Sequence, residues 1–192
     1  MKDLNTRLSR LSLMDRQATQ ISTYIEYLVR ANKRISLTRL GEFEDWFVNH
    51  VEDSVKAYDL FKDLPLDSFV DCGSGNGLPG IIFGILSNKP FVLCDVDQRK
   101  CEFLKSIVFK LKLSAKVFPK PISKFKTPNK GKTCFVYRGL GPDSILVENF
   151  KLNPKSLHFR FVSSNQTSLF AASKRENYFL SDKSSREIEI SL

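Results

Sequence analysis

Apolar positions along the chain fall into two rhythms, first helical and then alternating between strand and helix. From Asp15 to Lys33, the residues Ile21, Tyr24, Ile25, Leu28 and Val29 recur every three or four positions, which predicts an amphipathic helix packed on its apolar face. A loop through Ser36-Leu37-Thr38 leads to a second predicted helix, from about Glu42 to Tyr58, with Phe43, Trp46, Phe47, Val51, Val55 and Tyr58 on one stripe. His50 and Ser54 share that stripe, so they either tie the helix to neighbouring backbone or lean over a ligand pocket. From Ser68 the pattern changes. Phe69-Val70 ends a first strand, and Phe91-Val92-Leu93-Cys94 is a continuous apolar run, as in a strand buried on both faces. A helix from about Gln98 to Lys112 follows, marked by Leu104, Ile107, Val108 and Leu111. A third strand is predicted at Ala115 to Phe118, closed by Pro119 and Pro121, and a fourth at Thr133 to Tyr137. Between them lies a loop from Ser123 to Lys132, with Pro128 and Gly131 as breakers. A short helix around Asp143 to Phe150 precedes a fifth strand, Leu157 to Val162. A last helix is expected within Ser163 to Lys174, then a closing pair of strands at Tyr178 to Leu180 and Glu187 to Ile190. Alternation of this kind predicts an α/β fold with a doubly wound sheet, preceded by an N-terminal helical extension.

At 192 residues the chain fits a single domain, with helices over 1–62 and an α/β core over 63–192. The formal net charge of +9 adds a partner class, because lysines crowd the segment from Lys100 to Lys132, including Lys105, Lys110, Lys112, Lys116, Lys120, Lys124, Lys126 and Lys130. Such a field attracts polyanions, and nucleic acid is the expected one. The start of the chain is polar and no run is long enough to span a membrane, so a cytoplasmic protein is expected, and it is taken as a monomer. The four cysteines, Cys72, Cys94, Cys101 and Cys134, lack Cys-x-x-Cys spacing and are not grouped with the two histidines, which argues for buried thiols and no metal.

The candidate chemistry begins at Val70-Asp71-Cys72-Gly73-Ser74-Gly75-Asn76-Gly77-Leu78-Pro79-Gly80. A strand, a glycine loop and a proline suited to a helix's first turn open a nucleotide-binding unit. A dinucleotide fingerprint needs a third glycine at the position occupied by Leu78, which ranks a NAD enzyme last. Gly-x-Gly-x-Gly led by an acid is the pattern of S-adenosylmethionine (SAM) methyltransferases. In that arrangement Asp71, Gly73, Ser74, Gly75, Asn76 and Gly77 face the cofactor's methionine end. Asp95, at the end of the second strand, accepts hydrogen bonds from its ribose, while Asp97 or Gln98 caps the next helix. After the fourth strand stands Tyr137-Arg138-Gly139-Leu140, without the Asn/Asp-Pro-Pro-aromatic signature of amino methylation, and the chain has no Pro-Cys pair for pyrimidine C5 chemistry. Guanine N7 has a free lone pair, and its methylation needs positioning rather than a base. Arg138 either grips a phosphate or guanine O6, or forms a salt bridge at the strand end.

Taken in order, these segments resemble the GidB, or RsmG, family of bacterial 16S ribosomal RNA guanine-N7 methyltransferases. Asn32-Lys33 with Leu37-Thr38, then His50, Asp53 and Ser54, match its Asn-Lys…Asn-Leu-Thr and His-x-x-Asp-Ser stretches. The glycine loop follows its Asp-Val-Gly-Ser-Gly-Ala-Gly-Phe-Pro-Gly. Asp95, Arg99-Lys100 and Phe103-Leu104 follow its Asp-Ser-x-x-Lys-Arg-x-x-Phe-Leu, and Tyr137-Arg138-Gly139 sits where it has Ser-Arg-Ala. The resemblance implies a class I SAM-methyltransferase fold of Rossmann-like type, SAM as cofactor, and 16S rRNA or the small ribosomal subunit as partner. It also implies Gly73, Ser74, Gly75, Gly77 and Asp95 around the cofactor and Arg138 near the reaction, with His50, Lys120, Lys124 and Lys126 taken as the RNA-holding set. This chain departs from the pattern at Ser36, at Pro121-Ile122-Ser123-Lys124 in place of an acidic stretch, and at Ser163-Ser164 in place of Lys-Gly. A methyltransferase acting on another RNA or on protein, and a non-catalytic RNA-binding relative, are the alternative readings.

Overall fold

The computed structural model describes residues 3–39, 42–127, 131–163, 166–170 and 173–191. Pro128, Lys130 and Ser164, singled out above, lie outside them. One seven-stranded sheet organises the chain. Its strands are β1 (Ser68–Cys72), β2 (Phe91–Cys94), β3 (Ala115–Phe118), β4 (Thr133–Tyr137), β5 (Leu157–Val162), β6 (Ser173–Phe179) and β7 (Ser185–Ser191), in the spatial order β3-β2-β1-β4-β5-β7-β6. The first five run parallel, with Asp71 opposite Leu93 on one side and Val136 on the other. β7 is antiparallel to β5 and pairs with β6 as a hairpin. The order reverses at β1, so β1 and β4 splay their following loops apart and leave a crevice at their carboxyl ends.

The helices are α1 (Leu4–Ser9), α2 (Asp15–Asn32), α3 (Phe43–Trp46), α4 (Asp53–Phe61), α5 (Gly80–Ser87), α6 (Gln98–Leu111) and α7 (Asp143–Leu152). α3 and α4 are joined without a break by a π-helical stretch, Phe47–Glu52, and a 3₁₀ turn spans Ile122–Lys124. The second predicted helix therefore exists but is wound wider in the middle, where His50 stands. α2 and α4 share one core with α5 and α6: Ile21, Tyr24, Ile25 and Leu28 are fully buried together with Phe61, Ile81, Ile82 and Phe83. Aromatic edges lock this core, with Phe61 against Phe159 at 5.4 Å and Phe69 stacked on Phe91 at 4.9 Å. The opposite face of the sheet is covered more lightly, by the Ile122 turn and α7 over Val70, Phe135 and Tyr137.

On that lighter face a closed polar ring is buried. Asn153 donates to Asn149 Oδ1 (2.9 Å), Asn149 to the Tyr137 hydroxyl (2.7 Å), and that hydroxyl meets His158 Nδ1 at 2.7 Å. Because His158 Nε2 faces the Asn153 carbonyl, Nε2 carries the proton and Nδ1 accepts from tyrosine. Burial holds this imidazole neutral, with its pKa pushed down to about 4. All four cysteines are buried free thiols.

The helix expected within Ser163 to Lys174 is a correction. Among the described residues 166–170 are irregular, and Lys174 belongs to β6. The hydroxyls of Ser168 and Ser173 and the Leu169 N–H instead turn onto the buried Glu189 carboxylate, which also pairs with Arg160 at 3.1 Å. Side-chain acceptors of this kind compete with helical backbone bonding in serine-rich segments. β6 and β7 also extend beyond the predicted pair, since ladder bonding rather than apolar alternation sets their length.

Candidate cofactor site

The glycine loop leaves β1 at Cys72 and its backbone is tied to β2: the N–H groups of Gly73 and Ser74 both donate to the Cys94 carbonyl, at 2.8 and 2.9 Å. Gly73 sits at φ +74°, where a side chain would be strained, and a Cβ there would lie 2.5 Å from Leu140 Cδ1 and push that side chain aside. At Gly77 (φ +100°) a Cβ would meet Ile81 Cγ1 at 2.8 Å. Both glycines let loop backbone lie directly on its neighbours.

Asp95 closes the loop from the other side. Its Oδ2 accepts from the Gly75 N–H at 2.8 Å, and its Oδ1 from the Asp97 N–H at 2.9 Å. Each oxygen keeps a lone pair free, and the residue is 8% exposed. Asp97 caps α6, accepting from the N–H groups of Arg99 and Lys100, as the sequence suggested. A cavity of about 340 Å³ opens beside Asp95, with Gly73, Lys100 and Lys120 on its wall and an apolar lining that includes Val96, Ile122, Leu140 and Ile145. Val96 is 63% exposed, which leaves its side chain available to a planar ligand. Glu148 of α7 and Ser123 complete the rim.

The remaining residues of the motif stand behind this wall. Ser74 is buried and its hydroxyl donates to the Asp71 carbonyl at 2.9 Å. The Asn76 carbonyl accepts from the Tyr24 hydroxyl at 2.8 Å, which moors the loop to α2. Asp71 is 1% exposed and accepts from the Gly80 N–H at 3.2 Å, at the start of α5. Burial pushes its carboxyl up to about 7, against the pull of Ser74, Gly80 and Arg138. Asp71 thus holds the loop and helix together from beneath.

Arg138 leaves the cavity alone. Its guanidinium turns toward the π-helical stretch, pairing with Asp53 Oδ2 at 2.6 Å and donating to the Asn49 carbonyl, the His50 carbonyl (3.4 Å) and Ser54 Oγ (3.4 Å). It also lies over the Phe161 ring at 5.1 Å. Ser54 itself donates to the His50 carbonyl at 2.6 Å, so it ties the helix to backbone. His50 packs beside Trp46 at 5.7 Å, and burial followed by the nearby Arg138 charge pushes its imidazole down to about 4. Lys120 borders the cavity, while Lys124 and Lys126 are exposed on the segment that follows. The geometry therefore gathers Gly73, Asp95 and Lys120 at the cavity and sets Arg138 and His50 apart. Val96, Ile145 and Glu148 were not singled out by sequence, since single apolar or charged residues on a loop or a helix face carry no motif.

Residues 17–159 match the GidB family model, described as rRNA small subunit methyltransferase G. That stretch includes the glycine loop, Asp95 and Arg138. The chain belongs to the GidB family. Among curated GidB-like relatives, the ribosomal RNA small subunit methyltransferase G of Brachyspira hyodysenteriae is 34% identical over 104 residues, 54% of this chain and 50% of the relative. That of Bdellovibrio bacteriovorus, number 3, is 40% identical over 99 residues, 50% of this chain and 45% of the relative. The matches thus span about half the length of these relatives. The fold agrees with class I methyltransferases. The putative methyltransferase yhhF from Escherichia coli superposes with TM-score 0.52 at 15% identity, covering 69% of this chain and 82% of that one. An MtNAS variant in complex with S-adenosylmethionine gives TM-score 0.56 at 8% identity over 91% of this chain and 75% of its own.

Proposed function

We propose that this GidB-family chain is a SAM-dependent methyltransferase that acts on guanine N7 in small-subunit ribosomal RNA. The observation that carries the reading is the carboxylate of Asp95, held by the glycine loop with lone pairs to spare at the mouth of a cavity of small-ligand size. The cavity fits the cofactor chemically: an acid for a ribose diol, a glycine wall without side chains and an apolar lining for a base. SAM would supply an electrophilic methyl group on a sulfonium. Asp95 would hold the ribose, Val96 and Ile122 would flank the adenine, and Gly73 would admit close approach of the backbone. A guanine N7 has no proton to lose, so the residues around the target need to orient it and exclude water rather than act as a base. Neither histidine is required as a proton acceptor, in keeping with His50 and His158 being committed to packing and hydrogen bonds. The net charge of +9 and the exposed Lys124 and Lys126 beside Lys120 suit an RNA backbone at the cavity's edge.

The reading is tested by isothermal calorimetry with SAM, followed by methyl transfer to separate pools of ribosomal RNA, transfer RNA and protein. Micromolar SAM binding with label in ribosomal RNA alone supports it. Label in another pool moves the substrate, and absence of SAM binding removes the proposal.

A further inference from the structure

We infer that Asp53 is a positioning residue for the cofactor cavity: through the Arg138 guanidinium it fixes the loop from Arg138 to Pro142 that walls the cavity. This rests on the reading of the cavity as a SAM site. The loop has little else to hold it. Gly139 (φ +61°) and Gly141 (φ +36°) bring no side chain, and the space where a Gly139 Cβ would stand is open for 4 Å around. Arg138 and Leu140 are then its two side-chain anchors before Pro142. Leu140 presses on Gly73 from within the cavity wall, while Arg138 reaches away from the cavity to Asp53.

Asp53 is built for this task. Its side chain is 3% exposed, and that of Arg138 is 18% exposed. The two carboxylate oxygens are divided between partners: Oδ2 takes Arg138 at 2.6 Å, and Oδ1 takes the Tyr178 hydroxyl at 2.6 Å, with Arg186 Nε at 3.9 Å. One oxygen serves the cavity loop and the other the β6–β7 hairpin. The π-helical stretch adds to the hold, since the Asn49 and His50 carbonyls both accept from Arg138 there. π-Helical turns recur where a helix presents groups at a functional site. Without the Asp53 charge the guanidinium is left partly buried with neutral acceptors alone, and its better state is to swing out to water. A loop flanked by glycines then loses one of its two anchors, and Leu140 is no longer kept against Gly73.

The test compares D53N, R138Q, R138K, the D53N/R138Q double variant and Y178F, the last of which releases the other carboxylate oxygen without touching the loop. Two readouts are taken: amide hydrogen exchange at Leu140 and Gly141 in the ligand-free protein, and SAM affinity by calorimetry. D53N and R138Q are expected to exchange about tenfold faster at these amides and to bind SAM about tenfold more weakly, on the scale of removing one coupled interaction. The double variant is expected to be no worse than the poorer single, R138K to recover most of the protection, and Y178F to match the wild type in both readouts. If D53N and R138Q keep wild-type exchange, or Y178F loosens the loop as much as D53N, the positioning role is overturned. If wild-type protein binds no SAM the reading of the cavity fails, and the exchange data still decide whether Asp53 holds the loop. R138Q and R138K keep the question answerable if D53N does not fold.

Discussion

Two charged residues follow the two strands that flank β1 in the sheet, and they have opposite fates. Asp95, after β2, points its carboxylate to a cavity and is held by backbone N–H groups from its own turn and the adjacent glycine loop. Arg138, after β4, points its guanidinium away from that cavity and is held by groups 84 to 89 residues earlier in the chain. The first lines the cavity and is held by local backbone. The second is a brace assembled from tertiary structure. A charge at a strand end therefore says where a residue stands, and only its partners say which way it faces.

Loss of Asp53 is expected to have the largest effect. Asp53→Ala leaves Arg138 without its buried anion and should lower unfolding free energy by about 3 kcal/mol in urea titrations. Asp95→Ala is expected to do the reverse. It should weaken SAM binding by about 1.5 to 3 kcal/mol, the loss of charge-assisted hydrogen bonds, while shifting stability by less than about 1 kcal/mol. Equal effects of the two substitutions on both measurements would dissolve the contrast between site and brace.

Acid sharpens the same contrast more gently. In the unfolded chain an imidazole takes a proton below about pH 6.5. His50 and His158 in the fold resist protonation down to about 4. Between those values the unfolded state binds more protons, so stability contributed by the histidines is present above pH 6.5 and is lost as pH falls toward 4. Asp71, raised to about 7, acts with the opposite sign and gains stability over the same descent. Two histidines outweigh one carboxyl, and the urea midpoint at pH 5 should correspond to about 1 kcal/mol less stability than at pH 7. The smallest effect belongs to the exposed cations. Removing Lys124 and Lys126 together should lower the logarithmic salt slope of RNA binding by about one for each phosphate no longer neutralised, with SAM affinity unchanged.

The difference between Asp95 and Arg138 also explains how far the sequence could be read. Strands β2 to β5 were legible to the residue because they are short runs rich in apolar residues, bounded by Asp95, Pro119, Arg138 and Ser163. The cavity's acid and glycine wall were legible because their geometry depends on backbone conformation that glycine spacing records. α1 was not foreseen, since six residues with Leu4 and Leu8 as the buried pair give too short a pattern. Only the end of β6, Tyr178 and Phe179, was foreseen, because Ser-Lys-Arg-Glu-Asn-Tyr-Phe lacks apolar alternation and the strand forms at the sheet edge through its ladder with β7. The segment before it was misread as helix because no local signal shows that its hydroxyls would converge on Glu189. Asp53 stood in a recognisable motif, yet its role depends on Arg138 and Tyr178, 85 and 125 residues away.

The most direct test of the central claim is methyl transfer from labelled SAM to small ribosomal subunits, and to their naked RNA, from cells lacking this protein, with the product digested to nucleosides. The account predicts label in 7-methylguanosine, reduced in the Asp95→Ala variant in proportion to its weaker hold on the cofactor. SAM binding at the cavity with no label in ribosomal 7-methylguanosine would contradict it.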